Sequence, residues 1–171
     1  MNFMINKDQL LEMLNFHKYN YKLYSHPPLS TVEESKKLRG EIDGPHTKNL
    51  FLKNKKSQFF LISCLESSTI KLKNIAKTLN LGNISFAKED YLKKILNVAP
   101  GSVSPFGLLN DNEKRVDFYF DSKLNEFENF NFHPLDNKYT VNINKLDFYN
   151  LFAIKKIKIN IINLEEIYQN V

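Results

Sequence analysis

Three short stretches hold residues suited to chemistry on a bound ligand. His46-Thr47-Lys48-Asn49 runs straight into the apolar Leu50-Phe51-Leu52, so an imidazole, a cation and an amide stand at the mouth of a strand. Gly101-Ser102-Val103-Ser104-Pro105 is a turn bounded by glycine and proline, and its small residues leave backbone N–H groups able to meet a ligand. Asn131-Phe132-His133-Pro134-Leu135 adds a second imidazole. Together they describe a shaped pocket. Ser102 or Ser104 with His133 as base would make a nucleophilic pair, but no acidic partner stands at a recognisable spacing. Cys64 lies inside the apolar run Phe59–Leu65 and reads as core packing rather than as a catalytic thiol. His17, His26, His46 and His133 share no metal-ligand spacing, and one cysteine allows neither a cysteine-rich zinc site nor an internal disulfide. No metal and no cofactor are expected.

Those residues need elements to hold them. Apolar residues at helical spacing predict an amphipathic helix from Lys7 to Phe16, and Leu23-Tyr24 a short strand closed by His26-Pro27-Pro28. Ser30-Thr31-Val32-Glu33 is a capping-box pattern that predicts a helix from Thr31 to Leu38. Asn49–Lys53 and Gln58–Leu65, joined by a polar turn, read as a hairpin. A helix through Leu72, Ile75, Ala76 and Leu79, a strand at Ile84–Phe86 and a helix from Glu89 to Leu96 follow. Beyond the loop from Pro100 to Pro105 come a strand at Arg115–Asp121, a helical turn at Leu124–Phe127 and strands at Phe130–Phe132 and Tyr139–Ile143. Lys145–Phe152 reads as a closing helix. After it, Lys155–Ile162 alternates like a strand and Leu164–Tyr168 has helical character. Helices and strands mixed along the chain indicate one α+β domain with a mixed sheet.

A length of 171 residues suits one domain with a real core. The N-terminus lacks the basic and apolar regions of a signal peptide, and no apolar run approaches the roughly 20 residues that span a bilayer. A cytoplasmic protein is therefore expected. The net charge of +5 permits a polyanionic partner. Lysine carries nearly all of it, with Arg39 and Arg115 the only arginines, so phosphates can be met as point charges while bidentate readout of bases is scarce. Abundant Lys, Asn and Ile also match the codon bias of an AT-rich genome.

Taken in order, the landmarks form a recognisable set: His26-Pro27-Pro28 with Thr31-Val32-Glu33-Glu34, His46 to Leu52, Ile84-Ser85-Phe86-Ala87, Pro100 to Pro105, and Asn131 to Leu135 with Asn137. The chain resembles the YbaK/ProX type of aminoacyl-tRNA editing domain, above all its freestanding alanyl-tRNA(Pro) deacylases. The likeness runs from about Lys7 to Phe152. It implies an editing domain over residues 1–153, with 154–171 as a tail of unassigned structure, and a YbaK-like fold whose mixed sheet is partly barrel-like with helices around it. It also implies an esterase acting on the alanine-charged acceptor end of tRNA(Pro), with prolyl-tRNA synthetase as a further candidate partner and neither DNA nor membrane involved. By the same resemblance Lys48, Gly101 and His133 would be catalytic. Lys48 would position the terminal phosphate or the acyl end, and Gly101 to Pro105 would present backbone donors to the ester carbonyl. Asn49, His46, Ser102, Val103, Ser104 and Pro105 would line the substrate site. Pro45 stands where relatives often carry a smaller residue, which bears on the entry loop. Deacylation of cysteinyl-tRNA(Pro) is the sibling alternative, and an inactive tRNA- or synthetase-binding module the alternative of another class.

Overall fold

Asn6 accepts a hydrogen bond from the Gln9 amide at 3.1 Å, and the Gln9 side chain accepts from the Asn6 amide at 2.9 Å. This reciprocal cap starts helix α1, Lys7–Phe16, which buries Leu10 and Leu14. The computed structural model describes residues 3–28, 32–38 and 42–169. Ser30 and Thr31, the cap expected for the next helix, lie outside them; the helix itself is α2, Val32–Leu38.

The strands divide between two sheets. β1 (Tyr21–Ser25), β7 (Tyr139–Asn144) and β6 (Asn129–Phe132) form an antiparallel sheet in the order β1-β7-β6. The second sheet runs β4-β2-β3-β5-β8 and is mixed. Its β2 (Thr47–Asn54) and β3 (Phe59–Leu65) make the expected hairpin, and β4 (Ile84–Phe86) pairs antiparallel with the end of β2. β5 (Val116–Asp121) joins β3 in parallel, and β8 (Ile159–Ile162) joins β5 in parallel. The alternating residues Lys155–Ile162 thus end as an edge strand of the main sheet. Helix α6, Leu164–Gln169, follows and buries Leu164 and Ile167.

Alternation along these strands separates two apolar cores. Phe51, Phe59, Phe118 and Phe120 point into one, between the sheets, where they meet Phe130, Phe132 and the Phe148 and Phe152 rings of helix α5, Lys145–Ile154. Leu52, Phe60, Ile62 and Cys64 point to the other face, under α6 and helix α3, Leu72–Thr78. The helix expected over Glu89–Leu96 is not regular. Glu89–Leu96 begins as α4, Glu89–Tyr91, and widens to a π-type turn over Leu92–Leu96, which ends at Asn97 with φ +55°. Pro105–Asn110 and Ser122–Glu126 are 3₁₀ turns.

Candidate active site

The site arises where the two sheets meet. β4 covers the outer edge of β2 only from Leu52 onward, so the first half of that edge faces β6 instead. There Thr47 Oγ1 donates to the Asn131 carbonyl at 2.7 Å, joining the sheets. Beside this bond lies a polar cleft of about 30 Å³, lined by Thr47, Asn49, Asn131, Phe132, His133 and Thr140. It is large enough for a water or a small substituent.

The polar lining groups are held from behind. Ser63 Oγ, on the neighbouring strand, donates to Asn49 Oδ1 at 2.6 Å, which turns the Asn49 amide donors outward. His133 Nδ1 lies 2.7 Å from the Tyr139 carbonyl, so that nitrogen carries the proton and Nε2 is the acceptor of the neutral ring. His26 is held in the same way: Nδ1 donates to the Pro27 carbonyl at 3.0 Å, and Nε2 faces Thr140 Oγ1 at 2.9 Å. The two imidazole rings are 6.0 Å apart. Two asparagines clamp the chain entering β2. Asn131 and Asn142 both donate to the Asp43 carbonyl at 2.8 Å, and Asn142 also donates to Asn131 Oδ1 at 2.7 Å.

The Gly101–Pro105 loop is fastened by its serines. Ser104 Oγ donates to the His133 carbonyl at 2.7 Å, and Ser102 Oγ accepts the Asn137 amide at 3.1 Å. Both serines are buried. Their hydroxyls are tied into the fold, which is the wrong disposition for a nucleophile activated by His133. The Ser102 amide closes a turn onto the Ala99 carbonyl at 3.1 Å, whereas the amides of Gly101, Val103 and Ser104 have no acceptor among the described residues. Gly101 is exposed, with φ +85°.

Of the residues singled out in the sequence, Asn49 and His133 share the cleft, and Ser104 joins the loop to His133. Lys48 does not enter it. One residue out of phase with Asn49, it projects to the opposite face of β2 and donates to the Ser68 carbonyl. Ser102 opens instead onto a separate hollow shared with Asn97, Leu135 and Asn137. Val103 is half-buried and Pro105 buried at the start of its 3₁₀ turn. His46 is half-buried, and its carbonyl accepts the Glu66 amide at 2.8 Å. Cys64 is fully buried, and burial pushes its thiol up to about 12, well outside the range of a nucleophile. Among the described residues no three His, Cys, Asp or Glu side chains group as metal ligands, and no helix is long and apolar enough to cross a membrane. Sequence reading had not assigned Thr47, Ser63, Thr140 or His26 to the site. The available signal was the β2–β3 register, which puts Ser63 opposite Asn49.

The sequence profile of the aminoacyl-tRNA editing domain matches residues 26–151, most of the chain and every residue of the cleft. The chain belongs to the aminoacyl-tRNA editing domain family. Among relatives of this editing domain, the prolyl-tRNA editing protein ProX of Acetoanaerobium sticklandii is 38% identical over 136 residues, covering 79% of this chain and 83% of its own. The prolyl-tRNA synthetase associated domain-containing protein 1 of Xenopus laevis is 37% identical over 128 residues, covering 72% and 76%. In fold, the editing domain matches a crystal structure provisionally assigned as a trans-editing enzyme for prolyl-tRNA synthetase. The TM-score is 0.66 at 15% identity, covering 94% of this chain and 99% of that one. A computationally designed epitope scaffold aligns similarly, with a TM-score of 0.68 at 15% identity over 94% and 97%.

Proposed function

We propose that this editing domain hydrolyses the ester of mischarged aminoacyl-tRNA in trans, with alanyl-tRNA(Pro) as its substrate. The observation carrying the reading is the cleft itself: small, polar and shared by the Asn49 amide and the His133 imidazole. The name of the ProX relative, a prolyl-tRNA editing protein, supports the choice of tRNA.

The ester is already activated by the ribose hydroxyl beside it, so the protein must chiefly orient it and stabilise the developing oxyanion. Loop amides of Gly101, Val103 and Ser104 suit the second task because they are preorganised. Ser104 holds that loop against His133, which lines the cleft. Asn49 donors suit a carbonyl or hydroxyl of the aminoacyl-ribose, and the His133 imidazole shares that cleft. Lys48, on the opposite face of β2, makes no contact with the ester in this reading, and Gly101 gives the loop its left-handed turn. Neither metal nor covalent intermediate is called for.

Size makes alanine the natural target. A synthetase pocket shaped for proline discriminates against a smaller side chain by only ~1–3 kcal/mol per missing methylene. A second site that admits a methyl group and excludes a pyrrolidine ring completes the sieve. Purified alanyl-, cysteinyl-, seryl- and prolyl-tRNA(Pro) should be deacylated side by side. Alanyl-tRNA(Pro) is expected to be hydrolysed fastest and prolyl-tRNA(Pro) spared. Equal rates for those two would end the size-sieve account, and a cysteinyl preference would transfer the assignment to that substrate.

A further inference from the structure

The same strand that carries the cleft continues into a basic, aromatic margin that the hydrolysis itself does not use. After Asn49, β2 runs to Lys53, roughly 13 Å away at about 3.3 Å per residue. There it pairs with the short edge strand β4. Two hollows flank β4 and share Asn83 and Ile84, so they form one continuous strip. Lys53, Lys55 and Lys88 line the first, of about 420 Å³; Lys73 and Lys77 line the second, of about 590 Å³. Among the described residues no acidic side chain lines either. The exposed carboxylates nearest in sequence, Glu89 and Asp90, are outside both linings.

Lysines also keep an edge strand from pairing with a neighbour. That purpose leaves Phe86 unexplained, since it is 62% exposed on the edge strand itself. Tyr91 lies in the same hollow, with Lys53 Nζ 5.5 Å from its ring centre. Cations in a groove with aromatic faces beside them are what a nucleic-acid strand requires: charge for the phosphates and a platform for a base.

We infer that the β4 margin, through Lys55, Lys73, Lys77, Lys88 and Phe86, is the surface on which the tRNA acceptor arm lies while its aminoacylated end occupies the cleft. The inference rests on the proposed deacylase reading for its ligand. It differs in assigning the polyanion to a surface on the opposite half of β2 from the chemistry. Lysine point charges make the contact insensitive to base identity, so the margin supplies affinity and register rather than tRNA selection.

The test uses the whole protein with Lys55→Glu/Lys77→Glu and, separately, Phe86→Ala, all at exposed side chains. Binding of uncharged tRNA is measured by fluorescence anisotropy across a salt series, and single-turnover deacylation on alanyl-tRNA(Pro) and on 3′-alanyl-adenosine. The double variant is expected to bind tRNA more than tenfold weaker, with the salt slope reduced by about 1.4–1.8 for two lost phosphate contacts. Phe86→Ala should weaken binding about tenfold with little change in slope. Hydrolysis of alanyl-adenosine should be unchanged in both. Wild-type affinity and slope in the double variant would overturn the inference, as would an equal loss on alanyl-adenosine. If wild-type protein deacylates nothing yet binds tRNA in a manner the variants lose, the surface stands and the catalytic reading falls.

Discussion

The ring of His133 is anchored through Nδ1 to the Tyr139 carbonyl, and its backbone carbonyl is held by Ser104. His133→Ala therefore removes an oriented acceptor and leaves the Tyr139 carbonyl without its donor. Single-turnover deacylation is expected to drop by ~10²–10³ while far-UV circular dichroism stays unchanged, the scale set by losing one preorganised group. His133→Gln, able to keep one hydrogen bond, should recover part of that loss. Cys64 gives the opposite expectation. Its burial and raised thiol predict slow alkylation by iodoacetamide at pH 8 and full labelling only in denaturant. Rapid labelling of the folded protein with loss of activity would restore a thiol mechanism. At this scale the sequence displayed the residue types and hid the directions in which they point. Lys48 and Asn49 are neighbours in the same polar run, yet strand alternation sends them to opposite faces. The phase was readable from Leu50 and Leu52, which share the Lys48 face, against Phe51, which shares that of Asn49.

Among the elements, the entry to β2 governs the site more than any helix does. Gly44 adopts φ +90°, and a Cβ there would lie 3.2 Å from Asn142 Nδ2 and 3.3 Å from Asn131 Nδ2. Gly44→Ala combines left-handed strain with pressure on the asparagine clamp. It should cost about 1–2 kcal/mol in urea denaturation and lower deacylation beyond any effect on folding. An unchanged denaturation midpoint would show that the turn can relax without disturbing Asn131. Local elements were legible in the sequence where one period dominates: α1 and β4 carry the bounds read from their own residues. The π-type turn at Leu92–Leu96 was not, because its apolar spacing is that of an ordinary helix and only the Asn97 left-handed end betrays it. Nor was the division into two sheets. Alternation tells which face of a strand is buried, and it is silent about which distant strand lies alongside.

For the whole molecule, the C-terminal β8 and α6 close the second core over β5, and Asp121 sits at that closure. The carboxylate is fully buried; Oδ1 accepts the Leu164 amide at 3.4 Å, and Oδ2 has no partner among the described residues. Burial raises its pKa above the ordinary carboxylate value, against the smaller lowering by the Leu164 and Lys123 amides. The folded state thus holds the proton more tightly than the unfolded chain. Asp121's contribution to stability is greatest below the unfolded pKa near 4 and is lost as pH rises through the folded one. Asp121→Asn keeps the Oδ1 acceptor and removes the charge, so Tm should rise at pH 7 and the gain should fade towards pH 4. A variant less stable than wild type at pH 7 would reveal a charge partner for the carboxylate. The sheet behind the cleft has a different implication. Tyr21 pairs with Ile143, about 120 residues along the chain, and β6 and β7 follow all of β2 to β5. Such long-range pairing places the domain among slow folders, in milliseconds to seconds rather than microseconds. On a ribosome, where synthesis runs at about 5–20 residues per second, Thr47 and Asn49 emerge several seconds before His133 and Thr140. The growing chain therefore passes through a stage in which its first sheet strands exist and no editing cleft does.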